Sequence, residues 1–209
     1  MKIYDISIPI SSTMPTYPSD PPVVIEPFKQ IGKGSRSNVS RLSLGNHTGT
    51  HFDPPIHFLP NGKTIDQLDL NVLCGRARVV DFTRLEREIT ARDLERARIP
   101  RRTERILFKT RNSVLWQHAS FRTDYVGVAW DAAEWLVARG VKLVGVDYLS
   151  IETYGASEPR THRTLLSAGV IIVEGLNLRG IKAGTYTFIG LPLKIHNGDG
   201  APGRAILIA

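Results

Sequence analysis

The chain has 209 residues, 42% of them hydrophobic and 22% charged, a mixture that predicts one folded domain over residues 1–209 and argues against a disordered chain. Its single cysteine, Cys74, excludes an internal disulfide and a CxxC-type metal or redox motif. The formal net charge of +7 invites a nucleic-acid interpretation, but the arginines of 84–105 are interleaved with acidic residues as on a solvated helix face, so we expect attraction of small anions and no nucleic-acid partner.

The first ten residues, MKIYDISIPI, contain only a short apolar stretch, which Asp5 interrupts. A signal peptide has a longer uninterrupted apolar region, and no run in the chain approaches the roughly 20 apolar residues that span a bilayer. We therefore expect a cytoplasmic protein without a membrane partner.

Strand-like segments follow one another along the chain. Each is β-branched or alternates apolar with polar residues, and each is bounded by Gly, Pro, Asn or Asp. These segments predict strands within 2–8, 22–28, 38–47, 76–82, 104–110, 142–148, 169–176, 185–193 and 204–209.

Three short helices are predicted, at 90–99, 130–140 and 161–169. Thr90 and Asp93 form a capping-box pattern at the start of the first helix. Thr161 is expected to cap the third helix, and Gly140 and Gly169 to end the second and third. Because these helices are fewer and shorter than a regular βαβ repeat supplies, we expect an α/β protein with a mixed sheet or barrel and a few flanking helices.

The segment HTGTHFDPPIH, residues 47–57, contains three of the six histidines. Histidines four residues apart are typical metal ligands on a helix, but Gly49 and the two prolines favour extended backbone instead. With a period of two, His47, His51 and Asp53 can project to the same side. This ligand set suits Zn, Mn or Fe with room left for water, so it predicts a metal site, the alternative being surface histidines or hydrogen-bonded core histidines.

Two residues later in the chain are candidates to complete the site. Glu174 ends an apolar run, where a buried carboxylate needs a cation or several hydrogen-bond donors. His162 lies twelve residues earlier, at the start of the third predicted helix. The alternatives are a solvated strand end and a helix-capping histidine. His118 and His196 have no partners at ligand spacing, and we expect both to be structural or exposed.

At these residues the chain resembles a known family. HTGTHFDPPIHF is similar to the His-x-Gly-Thr-His-x-Asp-x-Pro-x-His-Phe signature of the metal-dependent cyclase-like hydrolases, which include bacterial kynurenine formamidase (arylformamidase) and isatin hydrolase. The resemblance extends in order over nearly the whole chain, through YDISIPI, MPTYPSD, the signature, AAEWLVARGVKLVGVDYLSIE, HRTLLSAGVIIVEGLNL and FIGLPLKIHNGDGAPGRAIL. It implies a swivelling β/β/α barrel that assembles as a homodimer.

The resemblance also implies roles for individual residues. Two divalent metal ions per subunit are expected, zinc by analogy with the formamidases and manganese as the alternative. In this scheme His47, His51 and Asp53 bind one ion, His162 binds the other, Asp53 and Glu174 bridge the two, and His57 transfers protons. Tyr17 stands where formamidases usually carry Trp, and it is expected to stack on an aromatic substrate.

The expected activity is amide hydrolysis by water whose pKa the metals lower from about 15.7 towards about 7. The first candidate substrate is N-formyl-kynurenine, which would give kynurenine and formate in tryptophan degradation. The alternatives are opening of a cyclic amide such as isatin and another hydrolase or cyclase reaction of the same family, because Tyr17, Thr50 and Phe52 depart from the usual formamidase residues. Non-catalytic alternatives are a metal-binding protein and a basic binding module, and a free base at His57 argues against simple metal storage.

Overall fold

The computed structural model describes all 209 residues. The strands are β1 (Ile3–Asp5), β2 (Val24–Lys29), β3 (Val39–Ser43), β4 (His51–Asp53), β5 (Cys74–Asp81), β6 (Arg105–Lys109), β7 (Leu143–Val146), β8 (Ile171–Glu174), β9 (Gly184–Pro192) and β10 (Ala201–Ile208). The α-helices are α1 (Leu70–Leu73), α2 (Ala91–Arg96), α3 (Trp130–Ala138) and α4 (Arg160–Ser167). Short 3-10 helices lie at Ile31–Lys33, Pro55–His57, Ile65–Gln67 and Arg111–Gln117.

Seven strands close into a barrel in the order β10, β4, β8, β7, β6, β5 and β9, with β9 pairing back onto β10. Strands β5, β6, β7 and β8 run parallel to one another, and all other pairings of the barrel are antiparallel. The parallel strands are mostly buried and rich in Val, Ile and Leu, as expected where both faces of a sheet are covered. The expected barrel-like α/β architecture is therefore confirmed.

Alternation along the strands separates two hydrophobic cores. The barrel interior is filled by one set of side chains, among them Phe52, Val79 and Val173. The neighbouring residues on the same strands, such as Val80 and Ile172, point outward, where α2, α3 and α4 cover them. Each strand residue is thus assigned to the interior or to the helix-covered face by its position.

The helix predictions are largely confirmed, with one wrong cap. Thr90 and Asp93 form the capping box of α2, and Gly140 and Gly169 follow α3 and α4 with positive φ angles. Thr161 does not cap α4, because the helix already begins at Arg160 and the Thr161 hydroxyl instead donates to the carbonyl of Val128. The 3-10 helix at Arg111–Gln117 was not predicted, since its residues show no helical periodicity.

Strands β2 and β3 form a separate antiparallel hairpin outside the barrel. All of their residues are exposed, including apolar ones such as Phe28, at 65% exposure, and Leu42, at 53%. Isolated hairpins of this kind are marginally stable in water. None of the helices in the structure has both the length and the apolar character that crossing a membrane requires.

Candidate active site

The site begins on the shortest strand of the barrel. β4 lies between β10 and β8, and its register sets His51 opposite Glu174 and Asp53 opposite Ile172. Phe52 points into the barrel interior, so His51 and Asp53 point to the helix-covered face, the face that also carries Glu174. The strand register alone therefore brings these three ligand candidates together.

His47 reaches the same site by a different route. The prediction that a period of two aligns His47 with His51 and Asp53 is wrong in this detail, because the strand begins only at His51 and His47 lies in the preceding turn. Gly49 has a φ of +65°, a left-handed conformation that glycine adopts without strain, and it turns the chain so that His47 Nδ1 lies 2.9 Å from Asp53 Oδ1.

His162 comes from the first turns of α4, which packs over the outer face of the barrel. Its Nε2 lies 3.3 Å from Glu174 Oε1 and 4.0 Å from Asp53 Oδ2. Its Nδ1 lies 3.1 Å from the carboxylate of Glu152, which also accepts the backbone N–H of His162. Glu152 thus fixes the ring so that Nε2 faces the site.

Two ligand groups of the site share Asp53. His47, His51 and Asp53 form one, and Asp53, His162 and Glu174 form the other, with all donor atoms of each group within 4.8 Å of one another. His51 Nε2 is 3.3 Å from Glu174 Oε2, which links the groups a second time. Asp53 belongs to both groups, so its carboxylate is the side chain that would be shared by two cations if both groups held one. His47, His57 and the exposed Asp199 form a third group at the edge of the site.

The hydrogen bonds of the site leave donor atoms free for metal ions. Asp53 Oδ2 and His47 Nε2 are buried and have no hydrogen-bond partner. Glu174 is almost completely buried, and its Oε1 accepts the N–H of Ile151 at 2.6 Å. An unpartnered buried carboxylate oxygen is costly unless a cation meets it. These residues therefore fit the divalent ions that the sequence predicts.

Charge balance supports the same conclusion. Burial opposes a charge on both His51 and His162. The hydrogen bonds that both rings donate to Glu174, and that His162 also donates to Glu152, together with the nearby charge of Asp53, nevertheless raise the pKa of His51 to about 9 and of His162 to about 10. Burial likewise opposes ionisation of Asp53 and Glu174, but the histidines lower the pKa of both. The ionised carboxylates of Asp53 and Glu174 are thus balanced by positive charge. Without metal, this charge is carried by the protonated imidazoles of His51 and His162.

We expect the metal-free chain to lose stability as the pH rises from 6.5 to 10. Because the folded-state pKa values of His51 and His162 lie above the ordinary 6.5, their contribution is present below pH 6.5 and is lost as the pH rises through about 9 to 10. The Tm of the chelator-treated chain should fall by about 5 °C or more, and that of the metal-loaded chain by clearly less. Parallel declines of the two melting temperatures would contradict this charge balance.

His57 lies beside the ligand groups in the 3-10 helix that follows β4. Its ring stacks on His47 with centroids 3.8 Å apart, and the centroid of His162 is 6.1 Å away. Burial lowers the pKa of His57, and the neighbouring histidines reinforce this shift against the opposing charge of Asp53. A neutral imidazole at the edge of the site can accept a proton.

A cavity of about 310 Å³ opens directly onto these residues. Its volume lies at the lower end of the range for small-molecule sites. Tyr17 and Phe58 supply aromatic walls, and Tyr17 itself packs edge-on against Phe121 with ring centroids 5.2 Å apart. Asp20 and Glu152 add carboxylates, and no lysine or arginine lines this cavity. The cavity therefore suits a small aromatic molecule without a large negative charge.

The chain is similar to known proteins over nearly its whole length. The Cyclase family model matches residues 4–153, which include β4, His57 and Glu152. The chain belongs to the cyclase family. Cyclase-like protein 1 of Arabidopsis thaliana is 40% identical over 99% of this chain and 85% of its own length. Kynurenine formamidase of Erythrobacter litoralis (strain HTCC2594) is 33% identical over 99% of this chain and 93% of its own length.

Solved structures show the same fold for this member of the cyclase family. A protein described as a "predicted metal-dependent hydrolase from Bacillus stearothermophilus" superposes with a TM-score of 0.85 at 36% identity, covering 99% of this chain and 97% of its own. Isatin hydrolase A from Ralstonia solanacearum superposes with a TM-score of 0.85 at 25% identity, covering 100% of this chain and 92% of its own. Relatives of this family member thus include hydrolases of two different amides.

Four residues of this cyclase family member near the site were not predicted. Glu152 follows β7, and Asp20 lies in the turn after Tyr17, where neither has ligand spacing to the histidines. Asp199 Oδ2 is 3.7 Å from His47 Nε2, and Gly200 packs against the His47 ring. Tertiary contacts between distant parts of the chain bring these positions to the site, so no local sequence pattern marks them.

Replacing Gly200 with alanine is expected to weaken metal binding by about tenfold. A Cβ at this position would lie 2.7 Å from His47 Nε2, so the ring must move away from Asp53. Metal affinity measured by competition with a chromogenic chelator tests this result. The matched control is Gly180→Ala, because a Cβ at Gly180 meets no atom within 4 Å. Equal affinities in the two variants would show that the His47 position does not affect metal binding.

Proposed function

We propose that this chain is a metal-dependent amide hydrolase that converts N-formyl-kynurenine to kynurenine and formate. The observation that carries the proposal is the pair of ligand groups sharing Asp53 at the base of an aromatic cavity, with His57 beside them. The relative from Erythrobacter litoralis, a kynurenine formamidase of nearly the same length, supports this substrate.

In this proposal each ion has its own ligands. His47 and His51 would hold one ion and His162 the other, with Asp53 and Glu174 between them. Divalent cations, zinc or alternatively manganese, would supply Lewis acidity, which lowers the pKa of water towards about 7 and polarises a carbonyl. His51 is held for this role by its Nδ1, which lies 2.9 Å from the carbonyl oxygen of Gly49, leaving Nε2 towards the site.

His57 would move the proton during hydrolysis. A free imidazole nitrogen accepts the proton of the attacking water and then returns it to the nitrogen of the leaving aryl amine. Stacking on His47 holds the ring at the edge of the ligand groups. The only hydrogen bond of His57 is from its backbone N–H to the carbonyl of Pro54, so both ring nitrogens are free for this exchange.

The cavity walls would orient the substrate. Tyr17 and Phe58 can enclose the aryl ring, and Phe58 already stacks on His162 with ring centroids 4.4 Å apart. The Asp20 carboxylate has no side-chain hydrogen bond or ion pair, so it is free to accept the α-ammonium group of N-formyl-kynurenine. This contact would fix the orientation of the substrate in the cavity that the ligand residues line.

A second candidate reaction is the opening of a cyclic amide such as isatin. It is favoured by the absence of lysine and arginine from the cavity, because the isatin ring carries no carboxylate that needs a cationic partner. The isatin hydrolase A fold is similar over the whole chain. Both reactions would use the same metals and the same base.

One experiment separates the candidates. The chain, loaded with zinc or manganese and analysed for bound metal, is assayed with N-formyl-kynurenine and with isatin. Formate release from the first substrate supports our proposal, and a ring-opened keto acid from isatin supports the second candidate. If the chain binds two ions but hydrolyses neither amide in a chelator-sensitive reaction, it is a metal-binding protein without this activity, and the proposal is wrong.

We expect Asp20→Asn to raise the KM for N-formyl-kynurenine by about tenfold, because the substrate ammonium loses its carboxylate partner. The KM for any measurable isatin hydrolysis should stay within about twofold, since that substrate has no ammonium group. Steady-state kinetics with both amides measures the effect. Equal changes for the two substrates would show that Asp20 acts on the site in general and not on substrate charge.

We further propose that the chain acts in the cytoplasm as a homodimer. The exposed apolar side chains of the β2–β3 hairpin support this assembly, because a second copy would cover them. They include Val24, Ile25, Phe28, Val39 and Leu42. The absence of aromatic residues from the arginine-rich stretch supports the expectation of no nucleic-acid partner.

A further inference from the structure

A second, larger cavity lies at the other end of the barrel. It is a groove of about 500 Å³, lined by Arg76, Arg78, Arg101, Arg102 and Arg105 together with two threonines. Strands β6 to β8 run parallel, and Arg105 begins β6 whereas Glu174 ends β8. The arginine groove and the candidate active site are therefore at opposite ends of the sheet.

Strand alternation explains why two of the arginines face the groove. Ala77 and Val79 fill the barrel interior, so Arg76 and Arg78 point to the outer face. On β5 the next outward residue, Val80, is covered by the helices. Arg76 and Arg78 thus lie on the part of the outer face that the helices do not cover.

Most of the guanidinium groups have no acidic partner. The side chains of Arg76, Arg101 and Arg102 make no hydrogen bond or ion pair. The side chain of Arg78 donates only to the hydroxyl of Thr185, at 3.4 Å. An exposed arginine is often unpaired, but here several of them converge on one concave surface. Their positive potentials add within the groove.

The one carboxylate of the groove is already neutralised. Glu104 accepts an ion pair from Lys142 Nζ at 2.6 Å and another from Arg105 at 3.4 Å. Arg105 is buried, and its guanidinium also donates to the carbonyl oxygens of Asn71 and Val72. Arg105 is therefore fixed in one position by its partners. The positive charges of the other four arginines are not neutralised by Glu104 and are available to a ligand.

The backbone of the groove has an unusual feature at Arg102. Its φ of +67° lies in the left-handed region, which glycine or asparagine occupies more readily than arginine. The turn that leads into β6 thus carries an arginine at a position where the backbone conformation favours glycine or asparagine.

We propose that this groove binds a small anion that carries phosphate groups. Arginine presents planar pairs of N–H donors that match phosphate oxygens, and the hydroxyl of Thr185, which accepts from Arg78, keeps its own hydrogen as a neutral donor. The volume of the groove falls within the range of small-molecule sites. Nucleic acid fits less well, because no aromatic residue lines the groove on which a base could stack.

Calorimetric titration of the metal-loaded chain with sodium tripolyphosphate, at an ionic strength of about 0.15 M, tests the proposal. We expect saturable binding that the double substitution Arg101→Ala and Arg102→Ala weakens by about tenfold or more. The matched control is Arg84→Ala with Arg87→Ala, which removes two exposed arginines outside the groove and should change the affinity by about twofold or less. Both variants should keep the Tm of the parent chain, since all four side chains are exposed.

Three results would overturn the proposal. The first is the absence of saturable binding, and the second is equal weakening in the two variants, which would indicate general attraction by net charge or chelation of the bound metal. The third is tighter binding of a single-stranded oligonucleotide than of tripolyphosphate with the same sensitivity to Arg101 and Arg102, which would assign the groove to nucleic acid.

Discussion

Replacing Asp53 with asparagine is expected to lower kcat/KM for the amide substrate by about 10³-fold or more and to leave fewer than two metal ions bound per chain. Asp53 is fully buried and belongs to both ligand groups, so its substitution removes an anionic ligand from each of them. Asparagine keeps the size of the side chain but not its charge. Metal analysis and steady-state kinetics on the same preparation measure both effects.

The control for this substitution is Asp199→Asn. Asp199 lies 3.7 Å from His47 but is exposed, so the loss of its charge should change kcat/KM by about tenfold at most. Full metal content and full activity in Asp53→Asn would contradict the assignment of Asp53 as a ligand shared by both groups. Such a result would require a different ligand set for the two ions.

Replacing His57 with alanine is expected to lower kcat by about 10²–10⁴-fold while the metal content stays complete. The ring of His57 stacks on His47 without joining either of the two groups that share Asp53. Its removal therefore takes away the proton acceptor and leaves those ligands in place. The measurement is kcat over a range of pH, together with the metal content of the purified variant.

His57 has a second possible role. It lies within ligand distance of His47 and Asp199, so these three residues can also hold an ion. Loss of metal from His57→Ala would identify it as a ligand and not as the base. His196→Ala is the control, since that histidine is 86% exposed and its partner is Asp66. It should retain both metal and activity.

Part of the site could be predicted because its information is local. His51 and Asp53 are two residues apart on one extended strand, so a period of two is enough to put them on one face. The prolines after Asp53 end that strand, and His57 follows in the next turn. Glu174 and His162 were candidates from their own segments, and the family resemblance implied their roles as ligands. They lie on separate elements, and the structure brings His162 Nε2 to within 3.3 Å of Glu174 Oε1.

The rest depended on tertiary contacts that no short pattern encodes. Glu152 orients His162 because the segment after β7 passes beneath the first turn of α4. Gly200 backs His47 because β10 pairs with β4. The same limit applies to the fold: strand segments were visible in the sequence, whereas the closure of β9 onto β10 was implied only by the family resemblance.

The pairing of β4 on both sides has a consequence for the order in which the protein matures. β4 has only three residues, and it is held by β8 on one flank and by β10 on the other. On a ribosome, His51 and Asp53 emerge long before Ala201 and Pro202, their neighbours in the sheet. We therefore expect metal ions to bind at full strength only after β10 has been translated and has paired with β4.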